Sequence, residues 1–315
     1  MSTPVCCRVG RAARLGRIVA DNVSDNRRGQ ETRSICPFLD KRCCRLPIRL
    51  GVVTIAGISA ERGEGEMDIG NAQRLLKFIP DDAKVIDVGG GAAPFPRADY
   101  VIDSVPFAER GSGSNDNLHE QMGVVPRYSA DRWIQADLCD HRPWPIADKA
   151  FDFATCSHLL EDVRDPIWIC SELRRIAKAG YIEVPSRVVE QSKGVENPCH
   201  AGFYHHRWLI TKDSNRLDFR HKPHALHSVS NAVIVRLGPR RRINPKYSIV
   251  TLDWVDDFAA VEVLEFEERS VIKELCDFAS SARRLPDLTV KVDTSLLQMI
   301  KRHIYYARLR IGRWP

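Results

Sequence analysis

Residues 85–107, VIDVGGGAAPFPRADYVIDSVPF, contain two short apolar runs that each end at residues suited to a ligand. The first run, 85–88, stops at three consecutive glycines, and the second, 100–102, stops at Asp103. Such runs bounded by turn residues are typical of buried strands. Glycine lets the backbone approach a ligand that a Cβ would push away, and a carboxylate ending the second strand can accept hydrogen bonds from a ribose diol. The stretch therefore predicts a nucleoside-binding crevice at the carboxyl ends of parallel strands.

The composition is that of an ordinary globular protein. The 315 residues are 43% hydrophobic and 28% charged, which is enough apolar material for a substantial core. Residues 1–66 carry a net charge of +5, so residues 67–315 carry only +1 of the total of +6. Because no basic stripe is interleaved with aromatic residues, we expect no nucleic-acid partner. The oligomeric state is left open.

The distribution of cysteines and of apolar residues predicts the cellular compartment of the protein. Five of the ten cysteines fall in the first 44 residues, without an apolar core and cleavage site of the signal-peptide kind. The longest apolar window near the start, 51–59, is about half of what a bilayer span needs. We therefore expect reduced thiols, no transmembrane segment and a cytoplasmic protein.

Three regions are predicted along the chain. Residues 1–66 lack a sustained helix or strand period and are predicted to be a disordered leader; an Arg-rich targeting segment and a metal site from Cys36, Cys43 and Cys44 are the alternatives. Residues 67–186 alternate strands with helices, which is typical of a parallel α/β sheet. Residues 187–315 are predicted to form a β-containing extension or acceptor-side lid, with an amphipathic helix over 295–311.

The fold class predicted is therefore α/β: a Rossmann-like, mostly parallel sheet with flanking helices, plus a C-terminal β-containing extension. Prolines at 94 and 96 argue against a long helix between the first two strands. The remaining pattern predicts helices over 70–79 and 165–178, the second ended by Gly180. It also predicts strands over 133–136, 151–158 and 181–185, a hairpin over 207–220, and two apolar runs within 247–266.

Three pieces in a fixed order carry a family resemblance: VIDVGGGAAPFPRADYVID, then ADLCDHRPWPIADKAFDFATCSHLLEDVRDP, then ELRRIAKAGYIEVPS. Together they resemble the class I S-adenosylmethionine-dependent methyltransferases, and more narrowly those with a methyltransferase type 11-like domain. The resemblance covers about residues 70–186 and, more loosely, HHRW at 205–208. It implies S-adenosyl-L-methionine as the cofactor.

The resemblance also implies roles for individual residues at the donor site. An acidic residue would orient the glycine turn, two glycines would admit the donor, one carboxylate would bind the ribose, and a carboxylate and a leucine would frame the adenine. A serine would line the methionine end. The cofactor-binding residues so implied are Asp87, Gly89, Gly91, Asp103, Asp137, Leu138 and Ser157. An Asx turn would explain Asp137 equally well.

Histidines supply the predicted catalytic residues. A base is needed only when the acceptor must lose a proton, and a histidine with a pKa near neutrality suits that task. His158, His205 and His206 are the predicted residues, in order of preference. Asp162 stands where relatives place a second histidine, and Ala93 where many have a third glycine. No metal site is predicted, because Pro223 prevents the histidines of HKPHALH from sharing one helical face.

The function predicted is methyl transfer from S-adenosylmethionine to a small-molecule or glycan-type acceptor, at oxygen or nitrogen (EC 2.1.1.-). Two alternatives stay open. One is a non-catalytic module that binds S-adenosylmethionine, and the other is a nicotinamide-dependent oxidoreductase. The absence of a long helix after the glycines disfavours the oxidoreductase, whose pyrophosphate normally rests on that helix.

Overall fold

The computed structural model describes residues 67–91, 93–110, 118–238 and 240–292, all of which fall in one unit of the chain. The predicted leader and the predicted helix over 295–311 lie outside these residues. Within them the strands are β1 Val85–Val88, β2 Tyr100–Asp103, β3 Trp133–Gln135, β4 Phe151–Ser157, β5 Ala177–Pro185, β6 Trp208–Asp213, β7 Arg216–His221, β8 Arg241–Ile243, β9 Ile249–Val255, β10 Ala259–Glu262 and β11 Thr289–Lys291. The helices are α1 Ile69–Phe78, α2 Leu118–Met122, α3 Pro166–Ile176, α4 Arg187–Glu190 and α5 Glu268–Ala282.

A six-stranded sheet forms the centre, in the order β3-β2-β1-β4-β5-β9. The first five strands are parallel, and β9 pairs antiparallel with β5. The predicted Rossmann-like, mostly parallel fold is thus confirmed. The chain winds outward from β1 to β3 and then restarts on the other side with β4. Such a reversal of strand order opens a crevice at the carboxyl ends of the strands, here at the ends of β1 and β4.

The helices of the core begin where the sequence provides caps. The Asp68 carboxylate accepts hydrogen bonds from the first turn of α1, and the helix ends just before Pro80. The Asp165 carboxylate caps α3 by accepting from the Trp168 amide, with Pro166 in the first helical position. The buried side of α3 packs on the sheet. No helix separates β1 from β2 among the residues described there, as the prolines predict.

Gly180 does not end a helix, contrary to the prediction. α3 ends at Ile176, and β5 begins at once and includes Gly180. A Cβ at this position would lie 2.5 Å from the Ala154 carbonyl oxygen and 2.7 Å from the Trp254 ring. Glycine is therefore needed here for close packing between β4 and β9 and not for a turn.

The extension after residue 186 shares its core with the sheet. β6 and β7 form the predicted hairpin, β10 adds parallel to β7, and β8 pairs with β11. Trp208 of β6, Phe219 of β7 and Trp254 of β9 belong to the same buried cluster as residues of β4, β5 and α3. None of the helices that the structure describes is long and apolar enough to cross a membrane.

Candidate functional site

Asp87, near the end of β1, is a fully buried carboxylate that organises the glycine turn. Its Oδ2 accepts a hydrogen bond from the Phe95 amide at 2.9 Å, and its Oδ1 accepts one from the Thr155 hydroxyl of β4. Burial raises the pKa of Asp87 to about 6, although both hydrogen bonds act in the opposite direction. The side chain therefore holds the turn from both sides while remaining largely ionised above pH 7.

Asp103, the last residue of β2, is tied to the same turn. Its Oδ2 accepts from the Gly91 amide and its Oδ1 from the Val105 amide, each at 2.8 Å. Gly91 has a positive φ of 48°, and among the described residues the nearest atom in the direction of its missing side chain is 3.9 Å away. The two carboxylates and the glycine turn thus form one hydrogen-bonded unit at the ends of β1 and β2.

Gly89 serves a different purpose from Gly91. Its φ is 70°, and a Cβ there would fall 2.5 Å from the side chain of Leu159, which follows β4. The space beside Gly89 is therefore filled by the protein, while the space beside Gly91 is open. Both glycines have a positive φ, and the predicted contact of each with the donor stays a prediction.

Asp137 and Leu138, which follow β3, make their contacts within the protein. The Asp137 carboxylate is more than half exposed, accepts from the Cys139 amide as an Asx turn does, and pairs with Arg164 at 3.0 Å. Leu138 is buried in the main apolar cluster. The structure thus gives Asp137 the turn role that the sequence left open, and its predicted adenine contact stays a prediction.

His158 lies just beyond β4, where Ser157 is the last, buried residue of the strand. Its φ is 50°, and its two ring nitrogens face Glu183 at 3.2 Å and Glu161 at 3.4 Å. Burial opposes the charged form, but the two carboxylates outweigh it and raise the pKa of His158 to about 10. At neutral pH this histidine is a cation held between two anions. That state does not suit the predicted general base, which needs a free nitrogen.

Glu183 of β5 is a site residue that sequence reasoning missed. Its Oε1 accepts from the Asp68 amide at 2.7 Å as well as facing His158, and its Oε2 accepts from Asn71 at 2.8 Å and from the Tyr181 hydroxyl. The side chain is fully buried. A lone glutamate inside the apolar strand YIEVP was the available signal, because a buried charge requires partners.

His205 and His206 belong to the extension and meet the loop after β4 at Asp162. The Nε2 atoms of both rings lie 3.8 Å from Asp162 Oδ1. Glu190 accepts from His206 Nδ1 at 2.8 Å and from Lys222 Nζ at 2.6 Å. Burial would lower the pKa of His206, but the Glu190 hydrogen bond outweighs it and raises that pKa.

An aromatic group stands beside the ends of β2 and β3. Trp133 donates its indole N–H to the Val105 carbonyl at 2.9 Å and contacts Phe107 and Tyr128 edge-on. Burial, with the charge of Asp87 contributing, raises the pKa of Tyr128 to about 12. Tyr128 is therefore a neutral phenol near the Asp87 carboxylate. No periodic pattern predicts a role for Tyr128, because this residue lies in the irregular segment before β3.

The charges of the crevice favour a cation. Among the described residues, His158 lies between two of four buried carboxylates around the ends of the central strands; the four are Asp87, Asp103, Glu161 and Glu183. Between β1 and β2 the described residues form turns, so no helix N-terminus follows the glycines there to receive a pyrophosphate. The crevice therefore suits a nucleoside that carries positive charge better than a dinucleotide.

Comparisons with known proteins agree with the sequence resemblance. No family model matches the chain. A stretch of 120 residues is 27% identical to a protein named ubiquinone/menaquinone biosynthesis C-methyltransferase UbiE, from Desulfotalea psychrophila, over 36% of this chain and 47% of that protein. The chain thus spans about half the length of this curated relative.

Two solved structures are among the similar ones. YcgJ from Bacillus subtilis is 19% identical, with a TM-score of 0.27 over 37% of this chain and 51% of that one. A S-adenosylmethionine-dependent methyltransferase from Thermotoga maritima, described as a possible histamine N-methyltransferase, is 20% identical, with a TM-score of 0.26 over 39% and 53%.

The order of the central strands and the curated relative support the same family resemblance. Residues of the core domain resemble the class I S-adenosylmethionine-dependent methyltransferases, as the sequence predicts, and that resemblance is confirmed. The narrower type 11 grouping stays a prediction.

Proposed function

We propose that this chain is an S-adenosylmethionine-dependent methyltransferase whose donor lies across the carboxyl ends of β1, β2 and β4. The observation that carries the proposal is the unit formed by Asp87, Gly91 and Asp103, in which a buried carboxylate at each strand end fixes a glycine turn with open space beside it. The adjoining carboxylates suit the ammonium and sulfonium charges of the donor.

The residues of the crevice fit that cofactor. Asp103 keeps lone pairs free beyond its two backbone donors and can accept from a ribose diol. Asp87 and Glu161 supply negative charge for the methionine end, and Ser157 lines it from β4. When bound, S-adenosylmethionine supplies an activated methyl group on a positively charged sulfur.

Alignment by the protein can then provide much of the rate, because the donor needs no further activation. The acceptor's attacking atom would form the new bond to the methyl carbon while the sulfur keeps the electron pair of the broken bond. A hydroxyl acceptor would also lose a proton. His158 holds its own proton at neutral pH, so we assign it to positioning Glu161 and Glu183 and not to proton removal.

The acceptor is proposed to be a small molecule or glycan-type compound that loses a proton from oxygen or nitrogen. The curated relative is named a C-methyltransferase, so a carbon acceptor is the second candidate. A carbon nucleophile would need no histidine base if it were already electron-rich. The two chemistries are separated by identifying the atom that carries the label after transfer.

Calorimetry on the full chain tests donor binding. S-adenosylmethionine and S-adenosylhomocysteine should bind with one site per chain, and NAD should not bind. Binding of NAD without either adenosyl ligand would reject the proposal in favour of a nicotinamide enzyme.

Transfer itself requires a second experiment. Incubating the protein with a cell metabolite extract and methyl-labelled S-adenosylmethionine should label at least one compound, whose structure names the acceptor. The Gly91→Val variant, in which a branched side chain fills the open space of the turn, is the matched control and should give no label. Equal labelling by both proteins would show that the label does not arise at this crevice.

A further inference from the structure

Asp162, His205 and His206 converge from two separate parts of the chain. Asp162 lies in the loop between β4 and α3, and the two histidines precede β6. One ligand atom from each residue lies within 4.8 Å of the other two, and both histidine Nε2 atoms are 3.8 Å from Asp162 Oδ1. We propose that these three side chains form a binding site for a divalent transition-metal ion, with Zn²⁺ as the representative ion.

The donor set has the chemistry of such a site. Two imidazoles and one carboxylate suit Zn²⁺ and its neighbours in the first transition row, and three protein ligands leave a coordination position open. Bonds of about 2.1 Å in a tetrahedral arrangement place ligand atoms about 3.4 Å apart. The observed 3.8 Å separations are close to this spacing, so small side-chain rotations would complete the geometry.

Asp162 Oδ1, the oxygen that both histidines face, lacks a hydrogen-bond partner among the described residues. Asp162 Oδ1 is buried, and it accepts no hydrogen bond among the residues that the structure describes. The two imidazole nitrogens nearest to it are beyond hydrogen-bonding distance. A salt-bridge cluster would be expected to close to about 2.8 Å, as the His206 and Glu190 pair does. The wider spacing around a shared centre is what metal coordination requires.

Glu190 provides the outer support that a metal-binding histidine needs. It accepts a hydrogen bond from His206 Nδ1, which fixes the ring so that Nε2 points toward Asp162. Carboxylates that hold a ligating histidine in this way are a common feature of metal sites. Lys222 neutralises the second oxygen of Glu190, and Gly202 allows its side chain to fit, since a Cβ there would lie 2.4 Å from Glu190 Oε2.

The position of the site suggests its role. Asp162 follows His158 by four residues in the loop after β4, and both histidines come from the predicted acceptor-side extension, so the ion would lie on the acceptor side. Its open coordination position would bind an anionic or hydroxyl oxygen of the acceptor. The metal site itself stands independently of methyl transfer, because it is defined by ligand geometry. The sequence analysis predicted no metal site because it weighed the histidines of HKPHALH, whereas this cluster joins residues that are distant along the chain.

Cobalt spectroscopy tests the site in the full chain. Co²⁺ added to chelator-treated wild-type protein should give visible absorption bands typical of a low-coordinate nitrogen and oxygen site. Cobalt bound by the cysteines of residues 1–66 is recognised by its near-ultraviolet thiolate charge-transfer bands. This contribution should be the same in every variant, because none of the substitutions alters a cysteine. Asp162→Asn and His205→Gln should each lose the visible bands of the site. His224→Gln alters an exposed histidine in the same region and should keep them.

Thermal unfolding provides the second readout. Added Zn²⁺ should raise the Tm of wild-type and His224→Gln proteins and leave that of Asp162→Asn and His205→Gln unchanged. Both altered side chains are more than one-third exposed, so the variants should fold, which near-ultraviolet circular dichroism checks. If one variant fails to fold, the other carries the test. Identical cobalt spectra and Zn²⁺ responses in all four proteins would overturn the metal site, whatever the outcome of the methylation assay.

Discussion

Asp87 and Asp103 are both buried carboxylates at strand ends, but they differ in what their oxygens already do. Asp87 accepts from the Phe95 amide of the turn and from the Thr155 hydroxyl of β4, while Asp103 accepts two backbone N–H groups, one of them from Gly91. Asp87 thus joins the turn to β4, and Asp103 lies beside the glycine at which we propose that the ligand approaches. The resemblance implies different roles for the two aspartates, but the sequence does not show which groups donate to each carboxylate.

Replacing Asp103 tests the ribose contact. Asp103→Asn keeps the shape of the side chain but removes its charge, and a hydrogen bond to a charged group contributes about 1.5–3 kcal/mol. We expect the affinity for S-adenosylhomocysteine to fall roughly ten- to hundredfold by calorimetry. Asp152→Asn, at the opposite end of β4, is the control and should bind normally. Wild-type affinity in Asp103→Asn would remove the ribose assignment.

His158 makes a prediction about pH. Its pKa of about 10 lies above the value of about 6.5 for an unfolded chain, so its interactions with Glu161 and Glu183 stabilise the fold fully below pH 6.5 and progressively less as the pH approaches 10. The free energy of unfolding lost in His158→Gln should therefore be larger at pH 6 than at pH 9.5, by about 1 kcal/mol or more. Urea unfolding of both proteins at the two pH values measures this difference.

A direct titration complements that measurement. The His158 ring should show no chemical-shift titration between pH 5.5 and 8 in an NMR experiment with labelled histidine. A midpoint between about pH 6 and 7 would instead restore His158 as a general base.

Among the helices and strands, the sequence predicted the features that depend on neighbouring residues and missed those that depend on residues distant along the chain. Asp165 with Pro166, the prolines after Gly91 and the apolar run of β4 are local signals, and the structure has the helix start, the direct connection from β1 to β2 among the described residues, and the strand that they indicate. The prediction that Gly180 ends a helix was wrong, because this glycine is required by a close contact with Trp254, seventy-four residues later in the chain. The sequence also did not predict that β9 pairs with β5, because an apolar run indicates a buried strand but not the strand with which it pairs.

Gly180 therefore makes a prediction for β5. Gly180→Ala would force a Cβ against the Ala154 carbonyl and the Trp254 ring, and overpacking of this kind typically costs about 1–3 kcal/mol. We expect the free energy of unfolding to fall by that amount in urea titrations. Gly238→Ala is the matched control, because no atom of the described residues lies within 4 Å of its added Cβ. Equal effects of the two substitutions would contradict the packing role.

At the scale of the whole molecule, the predicted boundary at residue 186 is not a break in packing. Trp208, Phe219, Trp254 and Phe258, all from the extension, lie in one buried cluster with α3 and β4. The carboxylate Glu183 at the end of the core and Glu190 at the start of the extension both hold histidines of the site. The extension thus completes the sheet and contributes side chains beside the crevice, which composition alone could not indicate.

This shared core predicts that the sheet and the extension unfold together. Backbone amides of β9 that pair with β5, in the edge strand whose Leu252 and Trp254 are buried, should exchange with deuterium only through the same global opening as those of β4. Native-state hydrogen exchange with mass spectrometry in increasing urea should therefore give equal opening free energies for peptides spanning the two strands. Leu252→Ala, which removes buried side-chain volume, should lower both by about 2–5 kcal/mol. Earlier exchange in β9 alone would instead show that the extension is an independent lid docked on a core that folds without it.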